Sequence, residues 1–202
     1  MPKDNKAASK AAPWDKGYCA CDPLYAPEQA ALMARLRSDV SERLWGKRLK
    51  HSFGVAATAL WLARRCGADE FEAEAAGLLH DWDKKLSPEE LWGKVDEYGI
   101  DVPRVDGALP VLHGLTAAAS LPRDYPELGA EVFQAIARHT TGAPGMTDLD
   151  MVVYVADMIE PGREGGFVDD IRKLACTAPL RQVYAECVRV GLIYLLKSGR
   201  FV

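Results

Sequence analysis

The stretch Asp69–Trp82, DEFEAEAAGLLHDW, decides how the rest of the chain is read. It opens on a residue suited to cap a helix, keeps a helical period, and ends on a histidine followed directly by an aspartate. His80 lines up with Ala73, Ala76 and Gly77, small residues that leave room beside its ring, while Asp81 sits one step around the helix end. A vicinal His-Asp pair placed this way offers two ligands to one ion if that end faces a cavity.

The other three histidines repeat the theme. On the segment from about Lys47 to Arg65, His51 shares a face with Val55, Thr58, Ala59 and Leu62, so its ring points inward. His139 shares a face with Val132, Ala135 and Ile136, and His113 begins the small-residue run HGLTAAAS just after Pro110. One inward imidazole is ordinarily a core residue with a hydrogen bond. Four of four on inward faces point instead to a shared site. Asp157 follows Asp150, Val153 and Tyr154 at buried offsets, and a buried carboxylate costs several kcal/mol unless a cation or strong donors hold it. Imidazoles and carboxylates are the ligands that divalent cations take, so the order H…HD…H…H…D is a metal-site pattern. Lys84 lies one turn after Asp81, Arg48 one turn before His51, and Arg163 just after the Asp157 helix. All three can lean toward an anionic group, although any one of them taken singly is by default a solvated charge.

Helical signals extend over most of the chain. Pro27 suits the first turn of a helix over 27–44, and Gly67 closes the His51 helix. Ser87 with Glu90 makes a capping-box start for SPEELWGKVDEYG. Further helices are predicted over about 107–120, 126–139, 148–159 and 167–198, the last broken near Pro179. No segment alternates with period two and no repeat is visible, so the expectation is an all-α bundle of about seven to nine helices. Residues 1–26 combine Lys, Ala, Pro and Gly without period and read as a flexible or loosely docked extension. Residues 27–202 form one domain, since 202 residues are too few for two large ones.

Hydrophobic residues make up 49% of the chain, yet no apolar run approaches the roughly 20 residues of a membrane helix. A net charge of -4 with mixed signs lacks the broad basic field that a nucleic-acid polymer requires, leaving a small anionic ligand held by local cations. The five cysteines show no CxxC pair and no even framework, which fits a reducing cytoplasm. Cys19 and Cys21, one residue apart with no second pair, are left out of the site. Trp and Tyr residues in the first 45 positions could serve a homodimer contact.

The set RLKHSFGVAATA, GLLHDWDKK, LHGLTAAA and ARHTTGAPGMTDLDMVVYVADMIEPGR, spanning roughly residues 47–163, resembles the HD-domain metal-dependent phosphohydrolases. Within them it is similar to the YqeK-like branch, the symmetrical diadenosine-tetraphosphate hydrolases. The resemblance implies an HD-domain helical bundle that cleaves diadenosine tetraphosphate into two ADP, with an iron-type divalent ion, Mn or Co being alternatives, and water activated by that ion as nucleophile. It carries over His51, His80, Asp81 and Asp157 as the metal quartet. Arg48, Lys84, His113, His139 and Thr140 carry over as contacts to nucleotide phosphates, with His113 and His139 equally able to complete a second metal position. On this reading Asp81, Lys84, His113 and His139 are the catalytic residues, and Arg163 joins Arg48 and Lys84 in neutralising phosphate oxygens. Other phosphohydrolase substrates, or a metal-bearing nucleotide sensor, are the alternatives. Asp83, between the HD pair and Lys84, and the long N-terminal segment depart from the commoner pattern.

Overall fold

Proline has no amide hydrogen to leave unsatisfied in a first helical turn, and α1 (Pro27–Arg43) starts on one. The computed structural model describes residues 12–15 and 23–199, so Cys19 and Cys21 lie outside the described residues. The chain continues through α2 (Gly46–Cys66), α3 (Glu70–Leu79), α4 (Pro88–Glu97), α5 (Leu109–Asp124) and α6 (Ala130–Arg138). It then forms α7 (Asp148–Ile159), α8 (Gly166–Thr177) and α9 (Leu180–Ser198), with one 3₁₀ turn, Asp106–Ala108, before α5. Among the described residues there is no strand, and no helix is long and apolar enough to cross a membrane.

The local signals do what their chemistry predicts. The Asp69 side chain accepts the Glu72 N–H at 2.8 Å. Ser87 and Glu90 close a capping box through reciprocal bonds of 3.2 and 2.7 Å. Gly67 ends α2 with φ +78°, and Pro179 separates α8 from α9.

Several boundaries differ from the sequence expectation: α5 covers Leu109–Asp124 instead of 107–120, and two further shifts lie in α6 and α3. Helix α6 starts at Ala130 instead of 126, because the chain first closes a turn from Tyr125 to Leu128 and Gly129 then stands at the N-cap in extended backbone. Helix α3 stops at Leu79 instead of 82, and tight turns close from Leu79 to Trp82, Asp81 to Lys84 and Asp83 to Leu86. This tightening lets two adjacent side chains, His80 and Asp81, face one cavity.

It also turns Asp83 away from that cavity. Its fully buried carboxylate is held by Arg43 at 2.8 Å and by Lys94 at 2.6 Å, tying the turn to α1 and α4. Removing it strands the partly covered Lys94 ammonium, so Asp83→Ala should cost about 3 kcal/mol and lower the melting temperature by several degrees. A thermal scan showing no shift would contradict this anchoring role.

Helix α2 packs between α3 and α7, and α6 packs on α3, α5 and α7. Helix α1 covers α3, and α8 and α9 lie against α7. Gly77 permits the close α2–α3 approach, since a Cβ there would stand 3.0 Å from the Ala56 Cα. Leu78, Leu79, Val55, Ala59, Ile136, Val152 and Val155 form part of the core beneath the histidines, and α4 and α5 share a smaller apolar cluster around Leu91, Val95 and Leu112.

Candidate metal centre

Five elements converge on one point: α2, the turn after α3, α5, the end of α6, and α7. The four imidazoles stand edge to face in a row, His51 to His80 to His139 to His113, with ring centroids 5.0–5.1 Å apart. Their Nε2 atoms face inward. His51 Nε2 lies 3.2 Å from His80 Nε2, 3.1 Å from Asp157 Oδ1 and 3.5 Å from Asp81 Oδ2. His113 Nε2 lies 3.1 Å from His139 Nε2 and 3.2 Å from Asp81 Oδ1.

The backs of the rings set the tautomers. His80 follows the last residue of α3 and its Nδ1–H donates to Gly77 O at 2.7 Å. His139 follows the last residue of α6 and its Nδ1–H donates to Ile136 O at 2.6 Å. Each bond satisfies a carbonyl that a helix end would otherwise leave without a partner. His51 Nδ1–H donates to Glu160 Oε1 at 3.1 Å. Carbonyls and carboxylates only accept, so the hydrogen sits on Nδ1 in all three rings and each Nε2 presents a lone pair.

Two such lone pairs, on His51 and His80, face each other at 3.2 Å beside two carboxylates. That arrangement calls for a cation, and an acceptor behind each ligating imidazole is how protein metal sites orient their rings. Three groups have all their donor atoms within 4.8 Å of one another: His51/His80/Asp81, His80/His139/Asp157 and Asp81/His113/His139. The donor set fits a divalent transition metal.

The electrostatics agree. Burial pushes the Asp81 carboxyl up, but His80, the His113 hydrogen bond and Lys84 outweigh it and hold it well below the usual carboxylate range. Burial likewise opposes ionisation of Asp157, and is outweighed by the His51 hydrogen bond and by His80 and Arg163 close by. Burial pushes His139 down to about 3, and it also lowers His113. His51 differs. Burial lowers it, but its hydrogen bonds to Asp157 and Glu160 raise it above its ordinary value.

A proton on His51 therefore competes with a metal. Because that pKa is raised, the competing proton is already held above the ordinary imidazole value of about 6.5, and cation affinity should weaken on acidification by up to about tenfold per pH unit. Mn²⁺ titrations between pH 5.5 and 8 check this; affinity that does not change over that range would contradict it.

The predicted cations lie around the cluster. Arg48 Nη1 bonds Asp81 Oδ2 at 2.5 Å, and Arg163 Nη2 bonds Asp157 Oδ1 at 2.5 Å. The Lys84 ammonium lies 3.3 Å from His113 Nε2, where loss of hydration lowers its pKa. Thr140 Oγ1 is 2.9 Å from His139 Nε2. His113 is unlike the other three rings: the Lys84 ammonium approaches its Nδ1 at 3.4 Å, and no carbonyl or carboxylate is bonded behind it among the described residues.

Glu160 was not among the sequence candidates. It is 3% exposed, receives the Gly162 N–H at 2.5 Å, and occupies space that a Cβ at Gly54 would enter at 2.5 Å. Its place three residues after Asp157, on the same helical face, was the available signal. Glu160→Ala should weaken metal binding about 10–100-fold by freeing the His51 tautomer. Metal titration of the folded variant measures this, and wild-type affinity would contradict it. Gly114 has a comparable role for His139: a Cβ there would stand 2.9 Å from Ile136 O and 3.0 Å from the imidazole Cε1.

Two cavities adjoin the cluster. One, of about 320 Å³ between α7, α8 and α9, is lined by His139, Asp157, Arg163, Tyr154, Phe167 and Tyr194, among others. The other, of about 400 Å³, is lined by Lys84, Leu86, Leu91, Leu109, Pro110 and His113, among others. A roomier one of about 560 Å³, beside Glu28, Arg35 and Glu72, carries none of the cluster residues.

The HD domain family model matches residues 48–162. The chain is 35% identical over 161 residues to the symmetrical bis(5'-nucleosyl)-tetraphosphatase of Bacillus subtilis, covering 80% of this chain and 86% of that one. It is 38% identical over 134 residues to the Staphylococcus aureus protein of the same description, covering 66% and 69%. A crystal structure of an HD superfamily hydrolase from Clostridium acetobutylicum superposes with a TM-score of 0.76 at 31% identity, covering 84% and 90%. Its sequence, its helices and the His-Asp cluster they assemble agree: the chain belongs to the HD domain family, on the branch of the symmetrical bis(5'-nucleosyl)-tetraphosphatases.

Proposed function

We propose that this chain hydrolyses diadenosine tetraphosphate symmetrically to two ADP, using a divalent transition ion of the iron type held by His51, His80, Asp81 and Asp157. The observation that carries the reading is the inward convergence of imidazole lone pairs and ionised carboxylates beside three cations, Arg48, Lys84 and Arg163. A bound ion of this kind lowers the pKa of a coordinated water and polarises a phosphoryl oxygen. The groups able to hold it overlap at His80, Asp81 and His139, and a second ion, if bound, would be held by Asp81, His113 and His139.

The protein's own residues supply the rest. Arg48, Lys84 and Arg163 neutralise non-bridging oxygens as charge moves to the departing ADP, a stabilisation that grows toward the transition state. With no second ion on it, His113, kept neutral by burial and backed by Lys84, offers a hydrogen bond to the leaving oxygen, and ADP is a good enough leaving group to need no stronger acid. Phe167 and Tyr194, 48% and 57% exposed on the rim of the α7–α9 cavity, give one adenine a stacking surface. The Lys84–His113 cavity takes the other nucleoside half. Free Cys66, Cys176 and Cys187 among the described residues suit a reducing cytoplasm as the place of work.

The test is turnover of diadenosine tetraphosphate by metal-analysed protein supplied with iron or manganese. The reading expects turnover that stops on chelation and returns with the metal. No turnover by fully metallated protein would overturn it.

A further inference from the structure

Helix α7 ends at Ile159, and the turn after it carries both Glu160, which holds His51, and Arg163, which pairs with Asp157. What fixes that turn comes from α8. The Arg172 guanidinium donates to Ile159 O at 2.9 Å through Nε, and to Glu160 O at 2.5 Å and Arg163 O at 3.1 Å through Nη2. One planar, rigid fork thus satisfies three carbonyls at a helix C-terminus, where a positive charge is also favoured by the helix dipole.

Arg172 is in turn covered by Trp14, its Cζ lying 5.4 Å from the ring centroid. Trp14 belongs to a short self-closed turn in which Asp15 accepts the Ala12 N–H at 2.7 Å and Ala12 is fully buried. Trp14 also packs edge-on to Trp61 of α2, the ring centroids 5.0 Å apart. Residues 12–15 therefore touch α2 and α8, and reach the metal-site turn through Arg172.

We propose that Arg172 is a positioning residue for the metal centre and that Trp14 acts through it, so that this N-terminal turn sets the metal affinity of a site it does not touch. The inference rests on the cluster being a metal centre, not on which phosphate ester is cleaved. Loosening the carbonyl clamp lets Glu160 leave His51, and the Nε2 lone pair is then no longer held toward the ion.

The experiment is Mn²⁺ titration of metal-free full-length protein, followed by calorimetry well below the melting temperature, with circular dichroism to confirm folding. Arg172→Gln should raise the dissociation constant about tenfold, Trp14→Ala about threefold, and Trp14→Phe, which keeps an aromatic face over the guanidinium, should stay within about twofold of wild type. Met33→Ala is the control, a core truncation in α1 that should lower the melting temperature and leave the dissociation constant unchanged. Wild-type affinity in both Arg172→Gln and Trp14→Ala overturns the proposal while leaving the metal centre standing. A rise with Met33→Ala equal to that of Trp14→Ala overturns it as well, because general destabilisation then accounts for the loss. Absence of Mn²⁺ binding by the wild type overturns the metal reading and this inference with it.

Discussion

Asp81→Ala should reduce turnover of diadenosine tetraphosphate by at least about 10³-fold, equivalent to about 4 kcal/mol of transition-state stabilisation. Asp81 belongs to two of the three groups able to hold an ion, and both of its oxygens are engaged, Oδ1 with His113 and Oδ2 with His51, His80 and Arg48. Losing it removes a ligand and also leaves Arg48 facing imidazoles without a counter-charge. Metal content should fall in step with turnover, while the helical signal persists, because the core beneath the cluster is built from other residues. Metal analysis and steady-state kinetics on the same folded preparation check this; wild-type turnover would contradict the assignment of Asp81 to the centre.

Lys84→Met should behave differently, losing about 10²–10³-fold in kcat/KM with metal content retained. The ammonium sits 3.3 Å from His113 Nε2, and a protonated amine has no lone pair to give an ion. On the proposed function its role is to meet charge that develops on phosphate oxygens and to back His113. Lys84→Arg should recover only part of the loss, since a planar fork does not reproduce a compact point charge. Metal loss in Lys84→Met would contradict the division of labour between ligands and cations.

The helices were legible because their signals are local. Asp69, Ser87 with Glu90, Gly67 and Pro179 each act within one turn of where they stand. The cluster was legible because helical spacing, continued one residue past the ends of α3 and α6, puts His51, His80, His139 and Asp157 on faces that meet. Other features depend on contacts between residues distant in sequence. Glu160 meets His51 across 109 positions, and Gly54 matters only because Glu160 needs its space. Asp83 departs from the commoner pattern next to the HD pair, and only the early end of α3, which directs it to Arg43 and Lys94, shows what it does. No spacing distinguishes His113 from the other three histidines, because the difference lies in which atom stands behind Nδ1.

The most direct test of the central claim is to let metal-loaded protein hydrolyse diadenosine tetraphosphate in ¹⁸O-water and to resolve the products by chromatography and mass spectrometry. Symmetrical attack at the central anhydride beside the cluster predicts ADP as the sole nucleotide product, one labelled oxygen for every two molecules of ADP, and no signal after chelation. AMP with ATP, or turnover unaffected by chelation, would contradict it.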